Sequence, residues 1–127
     1  MSTAYYAGFH ALAQCIADTV IGGTGANRSE PAWAQSYRAL EHRPAKEACR
    51  NIGIMARFPQ PIRDFANVFV MMQEKRHKAD YDPTGSYARS TVLIDIDAME
   101  NAIRDFQRAA AKDKRAFCAH VLFKKRT

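Results

Sequence analysis

Apolar residues return along this chain at steps of three and four, in stretches closed off by proline and glycine. That rhythm restricts the chain to helices packed side by side. The first stretch sets Tyr5, Phe9, Leu12, Ile16 and Val20 on one helical face, with Ser2 placed to cap it. Breaks follow at Gly22-Gly23-Thr24-Gly25, His42-Arg43-Pro44, Phe58-Pro59-Gln60-Pro61 and Asp82-Pro83-Thr84-Gly85. Pro31 opens a short second helix with Trp33, Tyr37 and Leu40 on a stripe. A third segment through Ala45, Cys49, Ile52 and Ala56 joins it by a kink or a full break.

The fourth segment has the clearest ends. Pro61 suits the first helical position, Asp64 complements the positive end of the helix dipole, and Ile62, Phe65, Phe69 and Met72 form the stripe to be buried before Pro83 stops the run. Asp97, with Glu100 three residues later, reads as a capping-box start for the fifth, whose face carries Met99, Ile103, Phe106 and Ala110. The preceding Thr91-Val92-Leu93-Ile94 suits either a short strand or an earlier start of that helix. A terminal turn or two around Phe117, Val121 and Leu122 packs back on the body. The expectation is an all-α antiparallel up-and-down bundle of four to five helices, one domain across residues 1–127.

Nineteen Lys and Arg against 13 Asp and Glu give a formal +6, concentrated in residues 31–63 and 100–127, which favours a polyanionic partner. Cys15, Cys49 and Cys118 lie far apart in sequence, so neither a disulfide framework nor a CxxC metal site is expected, and a reducing cytoplasm fits. No apolar run approaches the ~18 residues of a membrane span, and the start lacks a basic stretch followed by a long apolar one. Neither membrane insertion nor export is expected. His10, His42, His77 and His120 share no ligand spacing, so no metal is expected. The glycines at 22–25 lack the strand before them and the Gly-Lys-Ser/Thr that would cradle a phosphate, so no cofactor is expected either. The Gly-x-Ser-x-Gly elbow of an activated serine is absent.

One polar position breaks the pattern. The stripe of Ile62, Phe65, Phe69 and Met72 continues by one step onto Arg76, a charge on a face otherwise reserved for the core. Asp80, four residues on, can latch it in an ion pair at the Asp82-Pro83 turn. Alternatively the guanidinium stands at the mouth of the bundle to hold a phosphate, with His77, Tyr81, Tyr5, Tyr6 and His10 around it. Cleavage would further need a proton-transfer group in reach, and histidine suits neutral pH.

Two motifs carry a family resemblance: the opening Ala4-Tyr5-Tyr6-Ala7-Gly8-Phe9-His10-Ala11-Leu12, and Arg76-His77-Lys78-Ala79-Asp80-Tyr81-Asp82-Pro83 after a long helix. In this order, with a final amphipathic helix, they resemble the HEPN superfamily of small prokaryotic all-α proteins. The resemblance implies a helical bundle that dimerises. In many members it also implies a metal-independent ribonuclease or toxin paired with a small nucleotidyltransferase. Active members carry an arginine, often a polar residue next, and a histidine after four to six intervening residues. By position these are Arg76, His77, and a histidine place that falls at Asp80 or Tyr81 instead. Two other pairs come near the pattern: Arg115 with His120, and Arg38 with His42, which would share one helical face.

The leading expectation is a homodimeric, non-catalytic module that binds RNA, a nucleotide or a partner protein, using Arg76, Asp80, Tyr81, Tyr6 and His10. The alternatives are an endoribonuclease toxin with Arg76 and His77 as its catalytic pair, and a purely structural or interaction protein.

Overall fold

A computed structural model describes residues 3–80 and 89–123, and these form seven helices with no strand among them: α1 (Thr3–Val20), α2 (Glu30–Arg38), α3 (His42–Cys49), α4 (Ile52–Met55), α5 (Gln60–Asp80), α6 (Arg89–Gln107) and α7 (Ala111–Leu122). The all-α expectation holds. Ser2, the Asp80 side chain, Tyr81 and the Asp82-Pro83 turn lie outside the described residues. No described helix is long and apolar enough to cross a membrane.

Helix α1 is the central packing element, in contact with α2, α5, α6 and α7, while α3 lies against α5 and α7. Most of the expected stripe positions are buried, whereas Val20, Ile52, Ala56 and Ala110 of those stripes are exposed. Tyr5, Leu12 and Ile16 from α1 meet Ile62, Phe65, Phe69 and Met72 from α5, Met99 and Phe106 from α6, and Phe117 from α7. Phe65 stacks on Phe106 at 4.5 Å between ring centroids, with Phe117 edge-on to both. Gly8 lets α1 approach α6 closely: a Cβ at that position would lie 2.6 Å from Met99 Cε.

The local punctuation departs from the sequence expectation at three places. The third segment is two helices, because Asn51 turns its side chain to accept from Ile54 N–H and caps a separate short α4. Of the two readings of Thr91–Ile94 the earlier helix start is the one found, with α6 starting at Arg89, so the Asp97/Glu100 pair sits within the helix instead of capping it. The β-branched run belongs to no buried strand: Val92, Leu93 and Ile94 are exposed, and Asp95 pairs with Lys75 of α5 at 2.8 Å. The terminal turn is a 12-residue helix, α7, whose Lys114 Nζ donates to the Gln107 carbonyl at the end of α6.

After α1 the chain turns through Gly22, held at φ 132°, a left-handed value that favours glycine. Asp18 then fastens the loop. Its Oδ1 accepts from Trp33 Nε1 at 2.9 Å and from Arg28 at 3.4 Å, while Arg28 also reaches the Gly22 carbonyl and lies over the Trp33 ring. Ser29 caps α2 by accepting from Ala32 N–H, and Pro31 falls in its first turn, as the sequence predicts.

Candidate functional site

Along the first two turns of α1, residues 5, 6, 9 and 10 occupy adjoining faces at the spacing of one helical turn. Tyr5 and Phe9 lie along one row, Tyr6 and His10 along the next. Three other elements close on them. Helix α2 ends at Arg38, just past Tyr37, helix α3 opens with His42, and Gln73 and Arg76 face in from α5.

His42 sits at the centre. The Phe9 ring stacks on its imidazole at 4.1 Å, and the Tyr5 hydroxyl bonds Nδ1 at 2.5 Å. Gln73 Nε2 donates to the His42 carbonyl at 3.3 Å, fixing the start of α3 against α5. Burial pushes the Tyr5 phenol well above its ordinary range despite the nearby Arg76 cation, so the phenol keeps its proton and shares a hydrogen bond with Nδ1. Burial, and then the charge of Arg76, hold His42 below the usual histidine range, so the ring is neutral near pH 7.

Arg76 completes the cluster. Its Cζ lies 5.4 Å from the Tyr5 ring centroid and 5.2 Å from that of Tyr6, cation–π distances to both. Tyr6 is half-buried, edge-on to Tyr5 at 5.4 Å. On the outer side His10 is exposed, its Nδ1 2.6 Å from the Tyr37 hydroxyl and its ring parallel to the Tyr37 ring.

Of the residues picked from the sequence, Arg76, Tyr5 and Tyr6 come together, and His10 adjoins them through Tyr6. His77, one residue on and a turn of ~100° around the helix axis, is exposed. Asp80 and Tyr81 belong to the part whose side chains are outside the described residues. Arg38 and His42 do not share a helical face: α2 ends at Arg38, and three residues separate it from α3. His120 is structural here, its Nε2 donating to the Ala48 carbonyl at 2.8 Å and tying α7 to α3. Sequence reasoning missed the central position of His42 and the contributions of Phe9, Tyr37 and Gln73. His42 stood in a Pro-containing break with no periodicity to aim it at α1.

Among the described residues no group of three or more His, Cys, Asp or Glu is placed to hold a metal ion. Comparison of the chain with protein-family models, curated proteins and solved structures finds no match in any of the three.

Proposed function

We propose that this chain is a HEPN-like helical module that binds RNA or a nucleotide without cutting it, holding a phosphate at Arg76 and stacking a base on the adjoining aromatic rings. The observation that carries this reading is the junction of a guanidinium, two tyrosine rings and a neutral imidazole in one partly exposed cluster. A guanidinium forks onto a phosphodiester in two bonds, and aromatic faces accept any base, so little else is required for binding. The net charge of +6 supplies long-range attraction for a polyanion. Binding is preferred over cleavage because the motif's histidine place holds Asp80 or Tyr81, and the Nδ1 of His42 is already engaged by Tyr5. The dimer belongs to the same reading, and a small nucleotidyltransferase is the protein partner it would take.

The second reading, a metal-independent endoribonuclease, draws on one specific observation. Tyr5 bonds the His42 imidazole and also lies beside Arg76, so a cation and an imidazole both stand in the cluster although the motif's own histidine place holds Asp80 or Tyr81. Labelled single-stranded and structured RNAs, incubated without metal and followed for both mobility shift and cleavage, separate the two. A shift that weakens steeply with salt and is lost in Arg76→Ala, with intact RNA throughout, supports the binding module. Cleavage lost in both Arg76→Ala and His42→Ala supports the nuclease. Silence of the wild type at low salt overturns both and leaves Arg76 as a structural residue.

A further inference from the structure

The first and last long helices meet at two sulfurs. Cys15 of α1 and Cys118 of α7 lie with their Sγ atoms 3.5 Å apart, the Cys118 thiol donating to Cys15. They differ in access. Cys118 is buried, whereas Cys15 is half-exposed and lines a solvent-open cavity of about 300 Å³. Lys114 and Arg115 stand on the wall of the same cavity, and its Asp18 carboxylate is already engaged by Arg28 and Trp33. The third cysteine, Cys49, is buried in α3.

We propose that Cys15 and Cys118 form a redox-active dithiol, oxidised to an intramolecular disulfide by a small carboxylate-bearing disulfide of the glutathione type. Cys15 is the attacking thiol because it alone of the pair meets the cavity. Its thiolate attacks one sulfur of the incoming disulfide, the old S–S bond breaks, and one small thiol leaves with the proton that Cys15 gave up. Cys118 then attacks the Cys15 sulfur of the mixed disulfide, the protein S–S bond forms, and the second small thiol leaves with the Cys118 proton. The protein loses two electrons and the small disulfide gains them. Starting sulfurs at van der Waals contact, the closure to a bond of ~2.05 Å is a movement of about 1.5 Å, within the give of two side chains and their helices.

The electrostatics agree with this order. The hydrogen bond from Cys118, helped by Lys114, holds the Cys15 thiol below its ordinary range, while the same bond together with burial raises Cys118. Lys114 and Arg115 at the cavity wall complement the carboxylates of the incoming disulfide. Burial pushes the Cys49 thiol up to about 12, which makes it an inert internal control.

The test is to incubate the full chain with oxidised glutathione, alkylate the remaining thiols, and read intact mass and non-reducing peptide maps. The wild type should lose two of its three thiols to a Cys15–Cys118 cross-link that dithiothreitol reverses, with Cys49 alkylated only after unfolding. Cys118→Ser should stop at a glutathione adduct on Cys15, and Cys15→Ser should give neither adduct nor cross-link. Three free thiols in the wild type, a cross-link through Cys49 or between two chains, or an adduct on Cys15 that never resolves would each overturn the proposal. Circular dichroism shows whether each variant folds; where one does not, the wild-type peptide map decides alone.

Discussion

The Phe9 ring lies on the His42 imidazole with 4.1 Å between centroids and 21° between planes, so the first residue of a short helix is packed against the second turn of α1. Two residues 33 positions apart thereby define one wall of the Arg76 cluster, and the imidazole is withdrawn from water on that face.

The first prediction concerns the protonation of His42. Burial and the Arg76 charge depress its pKa below the ordinary value near 6.5, so as pH falls the unfolded chain takes up the proton first. Stability from this residue is complete above 6.5, falls as pH drops through that value, and levels off below the folded pKa. An NMR titration of the histidine ring protons should show the His42 resonance shifted to low pKa. In Arg76→Gln that resonance should move part of the way back, because burial, the larger cause, remains.

Asp18 gives a second prediction, read through the one tryptophan of the chain. Asp18→Ala leaves Trp33 Nε1 and the mostly buried Arg28 without the carboxylate that both engage. The cost should be about 1–3 kcal/mol in urea unfolding, the range for a buried donor that loses its acceptor. Native-state Trp33 emission should shift to the red as the α1–α2 loop loosens.

At Gly8 two effects oppose each other. Alanine gains about 1 kcal/mol of helix propensity over glycine, but its Cβ would meet the buried Met99 thioether at 2.6 and 2.7 Å. Overpacking costs about 1–3 kcal/mol, so Gly8→Ala should come out destabilising in chemical denaturation. The same substitution made on a Met99→Ala background should recover most of that loss, since the obstructing atoms are gone.

The aromatic centre of the core is the place for the largest effect. Phe65 touches Phe69, Phe106 and Phe117, and its ring is fully buried. Phe65→Ala should cost about 3–5 kcal/mol by urea unfolding. A loss below about 1 kcal/mol would mean that α5, α6 and α7 do not meet at this ring.

What was legible in the sequence was periodic. The stripes through Leu12, Ile16, Phe65, Phe69 and Phe106 name the buried faces because helical packing repeats at a fixed step, and Arg76 stood out because it broke that step. Boundaries were less legible. A single Asn51 side chain splits the third segment, and Asp97 is placed within α6 because the apolar face continues behind it through Ile96. Tyr5 and Tyr6 were expected around Arg76, but the place of His42 lay beyond any local rule: it reaches Tyr5 through a contact between helices far apart in sequence, and spacing within one helix carries no information about it.

Because Tyr5, His42 and Arg76 come from three separate helices, the unfolded chain has no trace of the cluster they form. Anything that occupies it is therefore a ligand of the native state alone. Its presence should raise the melting temperature with concentration and slow proteolysis, following RT ln(1 + [L]/Kd). Thermal denaturation thus becomes a way to screen nucleotides, oligonucleotides and peptides for the occupant without assuming any chemistry.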